Sequence, residues 1–148
     1  MSLNNLLVDN NYPIHVGSAA LVKSPNIGVA TEQFDSSTTG TFSITPANIL
    51  TGYWRLTHAL AATGELPDEA DFIAAFAAKL GTPLQNGIYI DVPVNNVLAA
   101  AAFTFTNSGT SNWLLNAVVV LPNGKSEIYR FKIVDVVAGT CELQTITW

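Results

Sequence analysis

Charge is the scarcest feature of this chain. Six of its 148 residues are Lys or Arg and eleven are Asp or Glu, which makes 11% charged residues and a net charge of -5. An average soluble domain carries about 25%. There is no basic run, so electrostatic capture of a phosphate backbone is not expected and nucleic acid is set aside as a partner. A lone cysteine, Cys141, excludes an internal disulfide and a cysteine-based zinc site. His15 and His58 are the only histidines, and neither has a second histidine at a metal-ligand spacing. No metal and no other cofactor is expected. The longest apolar run, Leu114 to Leu121, is interrupted by Asn116 and is too short to cross a bilayer. Met1-Ser-Leu-Asn-Asn shows no basic stretch followed by an apolar one, so the chain reads as a soluble protein made without a secretion signal, with no membrane partner.

What is present is apolar: 49% of the residues are hydrophobic. With so little charge, much of the surface must be polar-neutral or covered by a partner. Residues 1–40 are rich in Asn, Ser and Thr and hold short apolar pieces separated by turn residues, with no sustained period. They read as an extended N-terminal arm whose apolar pieces lie on something else, or alternatively as edge strands of the domain that follows. Leu6, Leu7, Val8, Tyr12 and Ile14 are the arm's candidate partner-binding residues.

From Thr41 onward the period is two, and residues 41–148 read as one β-domain. Phe42 and Ile44 alternate with polar residues, Trp54 and Leu56 share a face opposite Tyr53 and Arg55, and Ile88, Ile90 and Val92 form a run that Pro93 closes. Phe103 and Phe105 alternate with threonines. Trp113 to Leu121 reads as a strand buried on both faces. Pro122-Asn123-Gly124-Lys125 predicts a tight hairpin, with Tyr129, Phe131 and Ile133 on one face of the return strand and Arg130 and Lys132 on the other. A turn at Ala138-Gly139-Thr140 leads into the last strand, Cys141 to Trp148. One helix is predicted, Leu66 to Gly81, with Pro67 at its first position, acidic residues in the first turn, Phe72, Phe76 and Leu80 on one face, and Gly81 as the cap. The fold class is mainly β, an antiparallel sandwich or barrel-like domain with one embedded short helix and an extended N-terminal arm.

Chemistry is hard to assemble from these residues. Asp68, Glu69 and Asp71 are accounted for by a helix N-terminus. No Gly-x-Ser-x-Gly elbow and no phosphate-cradling glycine loop occurs. Cys141 has no basic neighbour in sequence and reads as a small hydrophobe. His58 extends the Trp54–Leu56 face as a core or interface residue. An enzyme is not expected. Trp54, Trp113 and Trp148 could form a sugar-stacking platform, as could Tyr53 with Tyr89, although aromatics on strands more often pack in a core or an interface. Tyr53, Trp54 and Trp113 join the arm residues as candidate partner-binding positions.

Several phrases carry a resemblance. Ile44-Thr-Pro-Ala-Asn-Ile-Leu-Thr-Gly52, then Leu66-Pro-Asp-Glu-Ala-Asp-Phe-Ile-Ala-Ala-Phe76, then Gly81 followed by Asn86 to Val92 or by Phe103 to Asn107, and finally Tyr129 to Val134 and Cys141 to Trp148, follow one another in order. Together they resemble a β-domain recurrent in structural proteins, capsid decoration and fibre proteins among them, of tailed bacteriophages and some large DNA viruses. Asp68-Glu-Ala-Asp71 departs from the family's usual Thr-Ala-Ala run, and Asn95 to Ala102 reads as an insertion or a shifted register. The resemblance implies a virion structural protein: a decoration or cement subunit on the capsid surface, made in the host cytoplasm, often a homotrimer, bound to itself and to the major capsid protein. It brings no catalytic residues. The alternative is a carbohydrate- or receptor-binding module of a virion fibre, with glycan as the ligand.

Overall fold

The alternation seen in the sequence produces two sheets facing one another across a shared aromatic core. A computed structural model describes residues 33–96, 99–117 and 119–146. Ten strands are present among them: β1 (Phe34–Ser36), β2 (Gly40–Ser43), β3 (Trp54–Leu56), β4 (Ala62–Leu66), β5 (Tyr89–Asn95), β6 (Phe103–Asn107), β7 (Leu114–Asn116), β8 (Val120–Leu121), β9 (Ser126–Asp135) and β10 (Thr140–Ile146). Two helices interrupt them, α1 (Pro46–Ile49) and α2 (Glu69–Leu80). The six-stranded sheet has the order β1-β3-β5-β9-β10-β7 and the four-stranded sheet the order β2-β4-β6-β8. From β1 to β6 the chain passes back and forth between the sheets. It completes three turns, each leaving one strand in either sheet. The domain is therefore mainly β and sandwich-like.

Strand direction differs from the antiparallel expectation. β1, β3 and β5 pair in parallel, as do β2, β4 and β6, and β7 pairs in parallel with β10. Antiparallel pairing is confined to β5–β9, β9–β10 and β6–β8. The reason is topological. A chain that changes sheet after every strand returns to its first sheet pointing the same way, whereas hairpins within one sheet reverse direction.

Trp54 sits at the centre, fully buried, with ring centroids of Phe34, Phe105, Phe131 and Phe103 at 5.0, 5.8, 6.2 and 6.3 Å. Its indole N–H donates to the Asn48 carbonyl at 2.7 Å, so burial leaves that polar group satisfied. Asn48 belongs to α1, which Thr45 starts with a reciprocal capping box: the Thr45 hydroxyl accepts from the Asn48 N–H, and the Asn48 side chain accepts from the Thr45 N–H.

Helix α2 starts later than expected. Asp68 is its N-cap, accepting from the Ala70 N–H at 2.9 Å, and Leu66 is the last residue of β4. Pro67 lies before the cap, and its carbonyl accepts a 2.8 Å hydrogen bond from the Trp113 indole. Phe72 and Phe76 are buried as expected, and Gly81 closes the helix with a positive φ of 68°. The Lys79 ammonium donates to the Leu50 carbonyl, tying the two helices together.

Four further expectations are corrected. Trp113 to Leu121 is not one buried strand: Trp113 is enclosed, Leu114–Asn116 forms an exposed edge of the six-stranded sheet, and Val120–Leu121 belongs to the other sheet. The Asn123-Gly124 turn is real, with φ 73° at Gly124, but it turns a corner between sheets instead of joining two strands of one. Asn96 fixes that corner. Fully buried, it donates through Nδ2 to the carbonyls of Ala101, Leu121 and Pro122 at 3.0–3.1 Å. Pro93 lies inside β5, beyond the two residues that β3 pairs, so β5 has only β9 alongside it there. The expected boundary at residue 40 also moves, since β1 and Gly40 already belong to the sheets.

Candidate interaction face

Period-two alternation divides β5, β9 and β10 into inward and outward sets. Ile90, Val92, Val94, Tyr129, Phe131, Ile133, Cys141 and Leu143 are buried. The opposite set builds the outer face of the six-stranded sheet, and the strand registers align it in rows. Asp35, Arg55, Asn95 and Ser126 form the first row, and Pro93, Ile128 and Ile146 the second. Asp91, Arg130, Gln144 and Asn116 make the third, and Tyr89, Lys132, Glu142 and Leu114 the fourth.

Every charge in these rows meets its opposite on a neighbouring strand. Arg55 donates to both oxygens of Asp35 at 2.8 Å, and Arg130 does the same to Asp91. Lys132 lies 3.8 Å from Glu142, whose other oxygen accepts from the Asn116 amide at 2.6 Å. The Arg130 guanidinium also lies over the Tyr89 ring, 3.7 Å from its centroid. These contacts hold the Asp35 carboxyl below the usual range, chiefly through Arg55, and the Glu142 carboxyl likewise, chiefly through Asn116. Ion pairs at or near a surface contribute little to stability. Their other effect is that the face is already neutralised: it holds three of the chain's six Lys and Arg residues, each beside a carboxylate.

At the edge of this face Leu114 is exposed and ends the Tyr89 row. Leu115, also exposed, pairs with the buried Leu143 and points to the opposite side of β7, and exposed Val120 belongs to the other sheet.

Of the candidate partner-binding residues, Leu6, Leu7, Val8, Tyr12 and Ile14 lie outside the described residues. Trp54 and Trp113 are corrected: both are core, at 0% and 2% exposure, and present no surface to a partner. Trp113 stacks on Phe72 at 5.1 Å and meets Phe131 edge-on at 5.9 Å. Tyr53 is half-buried at the outer face, where its hydroxyl accepts from the Asn95 amide at 3.5 Å. Tyr89 is exposed. The sugar-stacking platform thus loses Trp54 and Trp113, Trp148 lies outside the described residues, and one face of Tyr89 is taken by Arg130. His58 is a core residue, with Nδ1 donating to the Leu60 carbonyl at 2.7 Å. Cys141 is buried, and burial pushes its thiol up to about 12.

Sequence reading missed the Asp91–Arg130–Tyr89 cluster and the Leu114 margin. Alternation already put Arg130 and Lys132 on one face, but cross-strand partners depend on register, which no local pattern carries. Among the described residues, no group of three or more His, Cys, Asp or Glu side chains is arranged to hold a metal, and no helix is long and apolar enough to cross a membrane. Compared with protein-family models, curated proteins and solved structures, the chain gives no match.

Proposed function

We propose that this chain is a virion structural protein, a decoration or cement subunit that binds the major capsid protein and further copies of itself on the head surface, as a homotrimer. One observation supports this reading above the others: the outer face of the six-stranded sheet is internally charge-paired and ends in the exposed Leu114. Covering an isolated charge means desolvating it without compensation, whereas these charges keep their partners when the face is covered. The chain's 11% charge content also fits a protein that spends its working life covered. The ordered phrases from Ile44 to Trp148 that resemble virion β-domains support the same reading.

Particles carrying this chain test it. Stripping it from purified virions and adding back purified protein should restore a fixed number of copies per head and raise the temperature at which the shells open. A chain found away from the head, or a monomer retained on immobilised glycans without affinity for shells, overturns the proposal in favour of a fibre-borne carbohydrate-binding module.

A further inference from the structure

The two edges of the six-stranded sheet are both three-residue strands, and they are chemically opposite. β1 carries Asp35, paired with Arg55 of β3. β7 is Leu114-Leu115-Asn116, wholly exposed, without charge or proline, and Val120 of β8 is exposed as well. Leu114 is 47% exposed. An edge strand presents unpaired N–H and C=O groups, and proteins ordinarily blunt such an edge with Lys, Pro or a bulge. β7 has none of these, and its one blunting feature is its length of three residues. Among the described residues it has a strand neighbour on one side only.

Strand direction relates the two edges. β3 and β5 run with β1, β9 runs against them, and β10 and β7 run with β1 again. So β1 and β7 point the same way at opposite edges, five strand spacings or about 24 Å apart. Rotation about an axis along the strands sets the β1 edge of one copy beside the β7 edge of the next without reversing either. Such a head-to-tail contact closes into a ring when the rotation divides a full turn evenly.

Thirty-two residues of sequence precede Gln33, with only Asp9, Lys23 and Glu32 charged and with apolar clusters at Leu6–Val8, Ile14–Val16, Ala19–Val22 and Ile27–Ala30. Fully extended, that length spans about 105 Å, several times the width of the sheet. It joins the fold at β1, at the edge of the sheet opposite its own β7. In the ring, the neighbour's β7 lies next to where it begins.

We infer that the β7 edge is a docking site for the segment preceding β1 of a neighbouring copy. The segment adds to the sheet by main-chain pairing along Leu114–Asn116 and lays apolar side chains beside Leu114 on one face and Leu115 on the other. This rests on the self-assembling subunit proposed above and adds the receiving surface and its occupant.

Cross-linking of full-length protein tests it. Leu114→Cys with one affinity tag is mixed with Leu7→Cys, Val16→Cys or Val29→Cys with another, and each mixture is oxidised. The native Cys141 is buried and stays silent. A disulfide-linked species carrying both tags is expected for at least one of the three. No mixed species for any of them overturns the inference, as does a doubly substituted chain that links only within itself. Leu114→Lys changes an exposed side chain, so its circular dichroism spectrum should be unchanged while self-association, read by sedimentation equilibrium, weakens at least tenfold. Unchanged association with this variant also overturns the inference. An oligomer that rebinds shells yet never links at Leu114 leaves the structural-subunit reading standing and removes this edge from it.

Discussion

Asn107 holds both backbone polar groups of Trp113: its Oδ1 accepts from the Trp113 N–H and its Nδ2 donates to the Trp113 carbonyl, each at 3.1 Å. The clamp stands where the chain turns from core to edge, since Trp113 is buried and Leu114 is exposed. Asn107→Ala removes both partners and should destabilise the fold by about 1–3 kcal/mol, the cost of leaving enclosed backbone groups unpaired. Urea denaturation followed by tryptophan fluorescence measures it, and a shift within error means that water replaces the clamp.

The helix prediction contrasts two positions on α2. Phe76 is buried and Asp71 exposed. Phe76→Ala should cost roughly 3–5 kcal/mol and reduce soluble expression sharply. Asp71→Ala should stay near zero. Equal small effects would mean that α2 contributes little to the core.

Gly64 tests how closely the four-stranded sheet packs on its neighbours. A Cβ built there would lie 2.6 Å from the Ile44 Cδ1 atom and 2.7 Å from the Phe103 ring, and both side chains are buried. Gly64→Ala should destabilise by about 1–3 kcal/mol through overpacking. Pairing it with Ile44→Val should recover part of the loss in a denaturation series.

Glu142 ties stability to acid. Its folded pKa lies below the ordinary value of 4.5, mainly because Asn116 donates to it. A carboxyl with a depressed folded pKa stabilises fully above its unfolded pKa, and the contribution disappears as pH falls through the folded one. The loss therefore falls below about pH 4.5. Asn116→Ala should raise the Glu142 pKa toward its ordinary value, read by NMR titration of the carboxyl, and Glu142→Gln should flatten the acid limb of the urea midpoint between pH 5 and pH 3.

Cys141 should be inert in the folded protein. Burial raises its thiol to about 12, leaving almost no thiolate at neutral pH. A thiol reagent at pH 7.5 should label it only after denaturation. Rapid labelling of folded protein would contradict the enclosed position.

Some elements were legible because their causes are local. The α2 helix follows from apolar spacing, a first-turn acid cluster and Gly81, and its buried Phe72 and Phe76 were read directly. The β9–β10 hairpin and the inward set of Tyr129, Phe131 and Ile133 follow from period-two alternation and a glycine turn. β4 was missed because Ala62-Thr-Gly-Glu-Leu66 joins weak strand formers to a helix signal, and it becomes a strand only by pairing with β2 and β6.

The sequence by itself determined that this is a mainly β domain with one substantial helix, poor in charge and with aromatic side chains on its strands, because patterning and capping act within a few residues. Tertiary structure decided the rest. Parallel and antiparallel strands share one alternation, so only the passage between sheets set their direction. Burial is a property of neighbours, so the same apolar run could yield an enclosed Trp113 and an exposed Leu114. The charge pairs of Asp35, Asp91 and Glu142 join residues 20, 39 and 10 positions apart, and only the register of the strands brings them together.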